Sequence, residues 1–167
     1  DLDFAVHSLK DLPTQDPDGL CVAVIPPRED ARDALILAPA LKGIKNLEDL
    51  PPQTKFGTAS LRRQAQSLRL NPDLDIGLLR GNVGTRISRL TQSNENTDAI
   101  AATLLAMAGL KRLGLSERVD KIMPIDQMLP APGQGALAVQ TRKDDAELIE
   151  LLKPLNCAIT QAQITAE

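Results

Sequence analysis

Short apolar runs alternate with helix-like segments along this chain of 167 residues, and the alternation restricts the folds that it can adopt. The runs LDFAVHS (2–8), LCVAVIP (20–26) and GALAVQTR (135–142) predict strands, and SLRRQAQSLRL (60–70) and DDAELIELLKPL (144–155) predict helices. Strands that alternate with helices of this length are typical of an α/β fold with mixed, largely parallel sheets.

Two proline-rich segments interrupt this pattern, IPPRED (25–30) and MPIDQMLPAPGQG (123–135). The stretch between them is long enough for one compact domain. We therefore expect two hinges, a discontinuous two-lobed chain and a cleft between the lobes. One continuous domain with proline-rich loops is the alternative.

The charge is unevenly distributed along the chain. Residues 55–90 carry seven Lys and Arg against two Asp, although the whole chain has a net charge of −3. A basic segment in an acidic chain indicates an anionic ligand. Because the chain has two Phe and neither Tyr nor Trp, it lacks the stacking side chains of a nucleic-acid surface, and we expect no nucleic-acid partner.

Neither a membrane segment nor a metal site is expected. No apolar run approaches the length of a membrane span, and no signal peptide is visible. Cys21 and Cys157 share no metal-ligand spacing with each other or with His7. A single pair of cysteines favours a reducing compartment.

The segment KFGTASLRRQAQ (55–66) places a turn between a strand and a helix. Ser60 is a typical N-cap, so Arg62 and Arg63 fall in the first helical turn. Because the helix dipole is positive there, each cation costs about 0.3–1 kcal/mol unless an anion joins it. The two arginines therefore predict an anion-binding site.

The segment LLRGNVGTRISRL (78–90) repeats this arrangement. Arg80 ends a strand, the turn 81–84 contains two glycines that allow a ligand to approach the backbone, and Arg86 lies in the next helical turn. Guanidinium groups bind carboxylate and phosphate oxygens through paired hydrogen bonds. The residues alone leave these two ligand classes open.

The only histidine lies in AVHSLKDLP (5–13), where an apolar run ends. If the strand continues, Ser8 and Lys10 share one side, and Asp11 begins the following loop. Asp11 would be a carboxylate among cations, suited to stabilising a cationic intermediate or to passing protons. His7 points the other way and is interpreted as a hydrogen-bonded histidine of the core, since adjacent residues on one strand cannot form a Ser–His–Asp triad.

Five motifs, VHSLKDLP, GTASLRRQAQ, LRGNVGTRISRL, AGLKRLGL and LPAPGQGALAVQTR, resemble the porphobilinogen deaminase (hydroxymethylbilane synthase) family in order and spacing. The resemblance covers essentially the whole chain. It implies a transferase of tetrapyrrole (haem and chlorophyll) biosynthesis that condenses four porphobilinogen molecules into hydroxymethylbilane and releases four ammonia molecules. The family needs no metal and primes synthesis on a dipyrromethane cofactor held by a cysteine thioether. The acetate and propionate of porphobilinogen would explain an arginine-rich site.

Carried over by motif, the resemblance assigns Asp11 as the catalytic carboxylate. The cofactor carboxylates would be bound by Ser8, Lys10, Thr58, Ser60, Arg62 and Arg63. The substrate or growing chain would be bound by Arg80, Gly81, Asn82, Arg86, Arg112 and Gln134.

The family fold has two lobes like those of type II periplasmic binding proteins, together with a small third domain. The resemblance therefore divides the chain into part of domain 1 (1–27), a complete domain 2 (28–125), a return of domain 1 (126–148) and the start of domain 3 (149–167). The family's cofactor cysteine follows a T-A-E segment, and neither Cys21 nor Cys157 has that context. We therefore expect an incomplete piece, truncated at both ends, without turnover by itself.

The full-length family is expected to be monomeric, cytoplasmic (or plastidic where a targeting segment has been lost) and without a membrane partner. Two other function classes are the alternatives. A non-catalytic carboxylate-binding module of the periplasmic-binding-protein type would share the lobes and the anion sites but would have no use for Asp11. A nucleic-acid-binding protein would need more positive charge and stacking aromatics.

Overall fold

The computed structural model describes residues 2–91 and 99–167. Its strands form where the apolar runs of the sequence lie. Eight strands are present in the described residues: β1 (Phe4–Ser8), β2 (Leu20–Val24), β3 (Asp33–Leu37), β4 (Lys55–Gly57), β5 (Asp75–Gly77), β6 (Ala102–Ala106), β7 (Lys121–Ile122) and β8 (Leu137–Arg142). The α-helices there are α1 (Leu61–Leu70), α2 (Val83–Thr91), α3 (Met107–Arg112), α4 (Ala146–Leu152) and α5 (Ala158–Ala166). Short 3₁₀ turns cover Leu9–Asp11, Pro39–Leu41, Leu47–Asp49, Ser116–Arg118 and Lys153–Leu155.

The chain forms two compact units. Unit 1 consists of Asp1–Ala31 and Ala131–Glu167, and unit 2 of Arg32–Pro130. The chain therefore leaves unit 1 after Ala31 and returns to it after Pro130. Residues 149–167 group with unit 1, and their assignment to a third domain stays a prediction.

Unit 1 is built on a three-stranded antiparallel sheet in the order β1-β8-β2. The central strand β8 pairs with β1 over five residues, from Phe4 opposite Thr141 to Ser8 opposite Leu137. Val24, Val139 and Leu152 form a small core between this sheet and α4. The end of β1 and the start of β8 thereby bring the two separate segments of unit 1 side by side.

Unit 2 is built on a five-stranded mixed sheet in the order β5-β4-β6-β3-β7. All five residues of β3 are buried, because apolar residues cover both faces of the sheet. One core cluster includes Leu35 and Phe56, and a second on the other face includes Ile36 and Leu105. The carboxyl end of β4 leads directly into the turn that begins α1.

The mixed α/β class predicted from the sequence is confirmed, but parallel pairing is less extensive than expected. Among the described strands only the β4–β5 and β4–β6 pairs are parallel. The β1–β8, β2–β8, β3–β6 and β3–β7 pairs are antiparallel. Parallel neighbours need a crossover connection, and α1 supplies one between β4 and β5.

The helix predicted over 60–70 is confirmed as α1, and the helix predicted over 144–155 consists of α4 followed by a 3₁₀ turn that contains Pro154. None of the helices in the described part of the chain combines the length and the hydropathy needed to cross a membrane.

Candidate functional site

The turn between β4 and α1 is held by the two hydroxyl residues that the sequence analysis selected. Ser60 is the N-cap of α1, as predicted, and its Oγ accepts a hydrogen bond from the Arg63 N–H at 3.4 Å. The Thr58 Oγ1 accepts a hydrogen bond from the Ser60 N–H at 3.0 Å. Both hydroxyls therefore shape the turn, and they place Arg62 and Arg63 in the first turn of α1.

The carboxylate of Asp33 joins these two arginines. Asp33 begins β3 and is 0% exposed. Its Oδ1 accepts hydrogen bonds from Arg63 Nε at 3.1 Å and Nη2 at 2.8 Å, and its Oδ2 lies 2.7 Å from Arg62 Nη1. The protein itself thus supplies an anion for the cations at this helix terminus.

The sequence analysis did not identify Asp33. The one signal was a charged residue at the head of the apolar run DALIL (33–37), in a position where a carboxylate is buried only when it is paired. Its partners lie about thirty residues further along the chain, beyond the reach of any local pattern.

The charges of this group perturb one another. Burial raises the pKa of Asp33, but Arg63 and Arg62 outweigh burial and hold this pKa below its ordinary value. Burial lowers the pKa of the Arg63 guanidinium, Asp33 opposes this effect, and the charges of Arg62 and Arg86 lower the same pKa further. The arginines of both strand–turn–helix segments therefore act on one another electrostatically. Three arginines against one carboxylate leave an excess of positive charge.

Arg62 also donates a hydrogen bond to the segment that follows β7. Its Nη1 donates to the Leu129 carbonyl at 2.6 Å. Gln66, one turn further along α1, donates to the same carbonyl at 3.1 Å and accepts from the Leu129 N–H at 2.7 Å. The Arg62 side chain is 22% exposed and that of Arg63 is 7% exposed, so Arg62 is the more accessible cation.

The second strand–turn–helix segment is organised around Asn82. The Asn82 Oδ1 accepts hydrogen bonds from the Thr85 N–H at 2.8 Å and from the Thr85 hydroxyl at 2.9 Å, so this side chain caps the start of α2. Gly81 has φ +116°, and a Cβ there would lie 2.9 Å from Thr85 Cγ2. Arg86 Nε donates to the Gly81 carbonyl at 2.7 Å. Gly81 and Asn82 therefore hold the turn that positions Arg86.

The two remaining cations selected in unit 2 lie at its surface. Arg80 precedes the Gly81 turn, and Arg112 is the last residue of α3; both are exposed. Their roles as ligands stay predictions.

In unit 1 the strand ends earlier than the sequence analysis assumed. β1 stops at Ser8, and Leu9–Asp11 forms a 3₁₀ turn closed by a hydrogen bond from the Leu12 N–H to the Leu9 carbonyl at 3.1 Å. The alternation that was expected to place Ser8 and Lys10 on one side of a strand therefore does not apply. Ser8 is half-buried, whereas Lys10 and Asp11 are exposed.

Lys10 is held by Gln134. Lys10 Nζ donates to the Gln134 Oε1 at 3.4 Å, and Gln134 Nε2 donates to the Ala31 carbonyl at 2.6 Å. Gln134 is 0% exposed. Its amide therefore connects Lys10 with the segment at which the chain leaves unit 1.

One ring nitrogen of His7 lacks the hydrogen bond that was expected of this histidine. Its Nε2 is buried and has no hydrogen-bond partner among the described residues. Cys21 and Cys157 are both free thiols. Within residues 2–91 and 99–167 no three His, Cys, Asp or Glu side chains lie close enough to hold a metal ion.

The family model and the curated relatives that match this chain agree on one family. The family model described as porphobilinogen deaminase, dipyrromethane cofactor binding domain, matches residues 1–150. The porphobilinogen deaminase of Nitrobacter hamburgensis is 46% identical over 166 residues, which cover 99% of this chain and 50% of that protein. That of Chlorobaculum tepidum is 45% identical over 167 residues, which cover 100% of this chain and 51% of that protein.

Among solved structures, a YaeC-family lipoprotein of Enterococcus faecalis is 18% identical with a TM-score of 0.48, and the match covers 82% of this chain and 62% of that one. The chain spans about half the length of the curated relatives that it matches.

Proposed function

Because this chain belongs to the porphobilinogen deaminase family, we propose that it contributes to a transferase of tetrapyrrole biosynthesis that condenses four porphobilinogen molecules into hydroxymethylbilane and releases ammonia. The observation that carries this proposal is the group of Arg62, Arg63 and Arg86, whose charges act together and exceed that of Asp33. An excess of guanidinium groups at a helix N-terminus favours a ligand with several carboxylates.

Porphobilinogen is such a ligand, since it carries an acetate and a propionate. We propose that Arg80, Arg86 and Arg112 bind these carboxylates. Gly81 and Asn82 contribute by holding the turn, because the Gly81 carbonyl orients Arg86 and the Asn82 side chain caps α2. A charge-assisted hydrogen bond from an arginine contributes about 1.5–3 kcal/mol to such binding.

The residues assigned to the dipyrromethane cofactor fit its acidic side chains. When bound, the cofactor would supply the pyrrole carbon to which the first substrate is joined. The residues that would bind its carboxylates are Ser8, Lys10, Thr58, Ser60, Arg62 and Arg63. Among these, Arg62 is accessible and already oriented by two partners, and Lys10 is oriented by Gln134.

Asp11 is proposed as the catalytic carboxylate. The C–N bond of the porphobilinogen aminomethyl group breaks and its nitrogen leaves as ammonia, while the methylene carbon stays on the pyrrole ring, so the methylene-pyrrole takes up positive charge. An exposed carboxylate at the end of a 3₁₀ turn can approach this ring and stabilise the charge until the new carbon–carbon bond forms. Lys10 precedes Asp11 in the sequence. Because its side chain is itself a cation, Lys10 would bind a carboxylate of the ligand and not the cationic pyrrole.

The remaining proposals rest on the family resemblance. We propose a monomeric full-length protein located in the cytoplasm, or in a plastid where a targeting segment has been lost. Its partners would be small molecules and neither nucleic acid nor membrane.

Two measurements on this chain test the proposal. Calorimetry measures the binding of porphobilinogen, and an activity assay measures porphobilinogen consumption and ammonia release. Arg80→Leu should weaken binding by about tenfold or more, the loss of one charged hydrogen bond, whereas the control Arg118→Leu should change it by less than about twofold. Asp11→Ala should keep binding and abolish any turnover, and Asp16→Ala, an exposed carboxylate in the next loop, is its control.

Absence of porphobilinogen binding by the chain would contradict the proposal. So would binding that Arg80→Leu leaves unchanged. Binding that becomes tighter in Asp11→Ala, with no turnover in any variant, would favour the alternative of a non-catalytic carboxylate-binding module.

A further inference from the structure

Helix α1 begins with two adjacent arginines at the end where the helix dipole disfavours cations. Each of them ion-pairs with Asp33, Arg63 through Oδ1 at 2.8 Å and Arg62 through Oδ2 at 2.7 Å. One carboxylate therefore holds both guanidinium groups, one on each oxygen.

Asp33 is itself fixed in place. It is the first residue of β3, which is hydrogen-bonded on both sides, to β6 and to β7. Its backbone carbonyl accepts a hydrogen bond from the Met123 N–H at 2.8 Å, and the residue is 0% exposed. A carboxylate placed so deeply cannot meet a ligand, so its effect on a ligand acts through the arginines.

The two arginines differ in their exposure and in their hydrogen-bond partners. Arg63 is 7% exposed and donates twice to the same carboxylate oxygen, so Asp33 largely neutralises it. Arg62 is 22% exposed and is held from a second side by the Leu129 carbonyl. A cation oriented before the ligand arrives costs less ordering free energy on binding than a mobile one.

We infer that Asp33 is a positioning residue of the anion-binding site: its buried carboxylate holds Arg62 and Arg63 side by side at the start of α1, so that Arg62 meets a carboxylate ligand already oriented. This inference rests on the proposed function for the identity of the ligand. It assigns Asp33 no contact with substrate or cofactor.

The sign of the effect on binding separates positioning from simple electrostatics. Arg62 and Arg63 are assigned to the cofactor, so the probe is a free dipyrromethane that carries acetate and propionate groups. Asp33→Asn adds one net positive charge close to the site, so electrostatics alone predicts tighter binding of this dipyrromethane. Positioning predicts weaker binding, by about tenfold or more, in the 167-residue chain. Asp75→Asn is the matched control, because it removes the same charge from an ion pair with Lys55 in unit 2, and it should change the dissociation constant by less than about twofold.

A second measurement does not require the variant to fold. In the wild-type chain, exchange of the Arg63 Nε–H with solvent, followed by NMR, should be at least about tenfold slower than that of the exposed Arg80 Nε–H, with or without porphobilinogen. In a folded Asp33→Asn variant this protection should be lost, because Asp33 Oδ1 accepts the Arg63 Nε–H.

The outcomes distinguish the two proposals. If the wild-type chain binds the dipyrromethane and Asp33→Asn binds it equally or more tightly, the positioning role is overturned and the proposed function stands. If the wild-type chain binds neither the dipyrromethane nor porphobilinogen, the proposed function fails, and unprotected Arg63 exchange would overturn the positioning role separately.

Discussion

Replacing Gly135 by alanine should destabilise unit 1 far more than the same change at another glycine of similar backbone conformation. Gly135 has φ +90°, and a Cβ there would collide with the Glu29 carbonyl oxygen and lie 3.2 Å from that of Asp30. The two segments are also hydrogen-bonded, since the Glu29 N–H donates to the Gly135 carbonyl at 3.2 Å. The neighbouring atoms are backbone, so they cannot move aside as a flexible side chain would.

The expected magnitude follows from three contributions. A left-handed conformation costs alanine about 1–2 kcal/mol, and the smaller conformational freedom of the unfolded chain offsets about 0.4–1 kcal/mol of this. Overpacking against a rigid neighbour adds about 1–3 kcal/mol. We therefore expect Gly135→Ala to lower the free energy of unfolding of unit 1 by about 2–4 kcal/mol.

Gly19→Ala provides the control within the same unit. Gly19 has φ +79°, but no atom lies within 4 Å of the position that its Cβ would take. Only the conformational terms apply, so the loss should be about 1 kcal/mol or less. Hydrogen exchange of the β8 amides measures the free energy of unfolding of unit 1 alone. Losses that agree within about 0.5 kcal/mol for the two variants would refute the steric argument.

Three further changes test other contacts. Asn71→Ala should destabilise unit 2 by about 2–3 kcal/mol in urea unfolding, because the Asn71 amide, 6% exposed, donates to carbonyls of the 47–50 turn that would lose this partner. Asn82→Ala should lower the free energy of opening of the α2 amides, measured by hydrogen exchange, by about 1 kcal/mol, which is the contribution of an N-cap. Unchanged protection would show that water replaces the Asn82 side chain as the cap. Burial raises the pKa of Glu167, but the hydrogen bonds from Arg28 and from the Gly133 N–H, together with the Arg28 charge, hold it below its ordinary value. The stabilisation from these contacts therefore exists above about pH 4.5 and is lost as the pH falls through the lowered pKa. Stability of Arg28→Gln should therefore vary less with pH between 3 and 6, and an unchanged pH dependence would contradict the pairing.

Local sequence determined the elements whose stability comes from neighbouring residues. Ser60 was identified as an N-cap because an N-cap bonds a backbone N–H three residues away, and the structure has that bond. Gly81 and Gly84 were predicted to lie in one turn; Gly81 does, with φ +116°, whereas Gly84 lies within α2. The mixed α/β class followed from the alternation of runs, and the motifs that carry the family resemblance are themselves continuous stretches of chain.

Other features could not be obtained from local patterns. Strand direction depends on which strands become neighbours, and β8 pairs with β1 and β2 from more than a hundred residues away. β1 ends at Ser8 because Leu9–Asp11 forms a 3₁₀ turn, and the start of this turn is held by a hydrogen bond of 3.1 Å from the Leu9 N–H to the Ala136 carbonyl, which also lies more than a hundred residues away. An alternating pattern alone therefore extended the strand too far.

Asp33 shows most clearly where the sequence stops being informative. Two arginines in the first turn of a helix indicated, from the sequence alone, that an anion should accompany them. Whether the anion would be a ligand or a side chain depended on the packing of β3 beside the start of α1, which local sequence does not specify. The tertiary structure places a buried carboxylate there because a charge in the interior must be paired, and it leaves Arg62 oriented and accessible for a ligand.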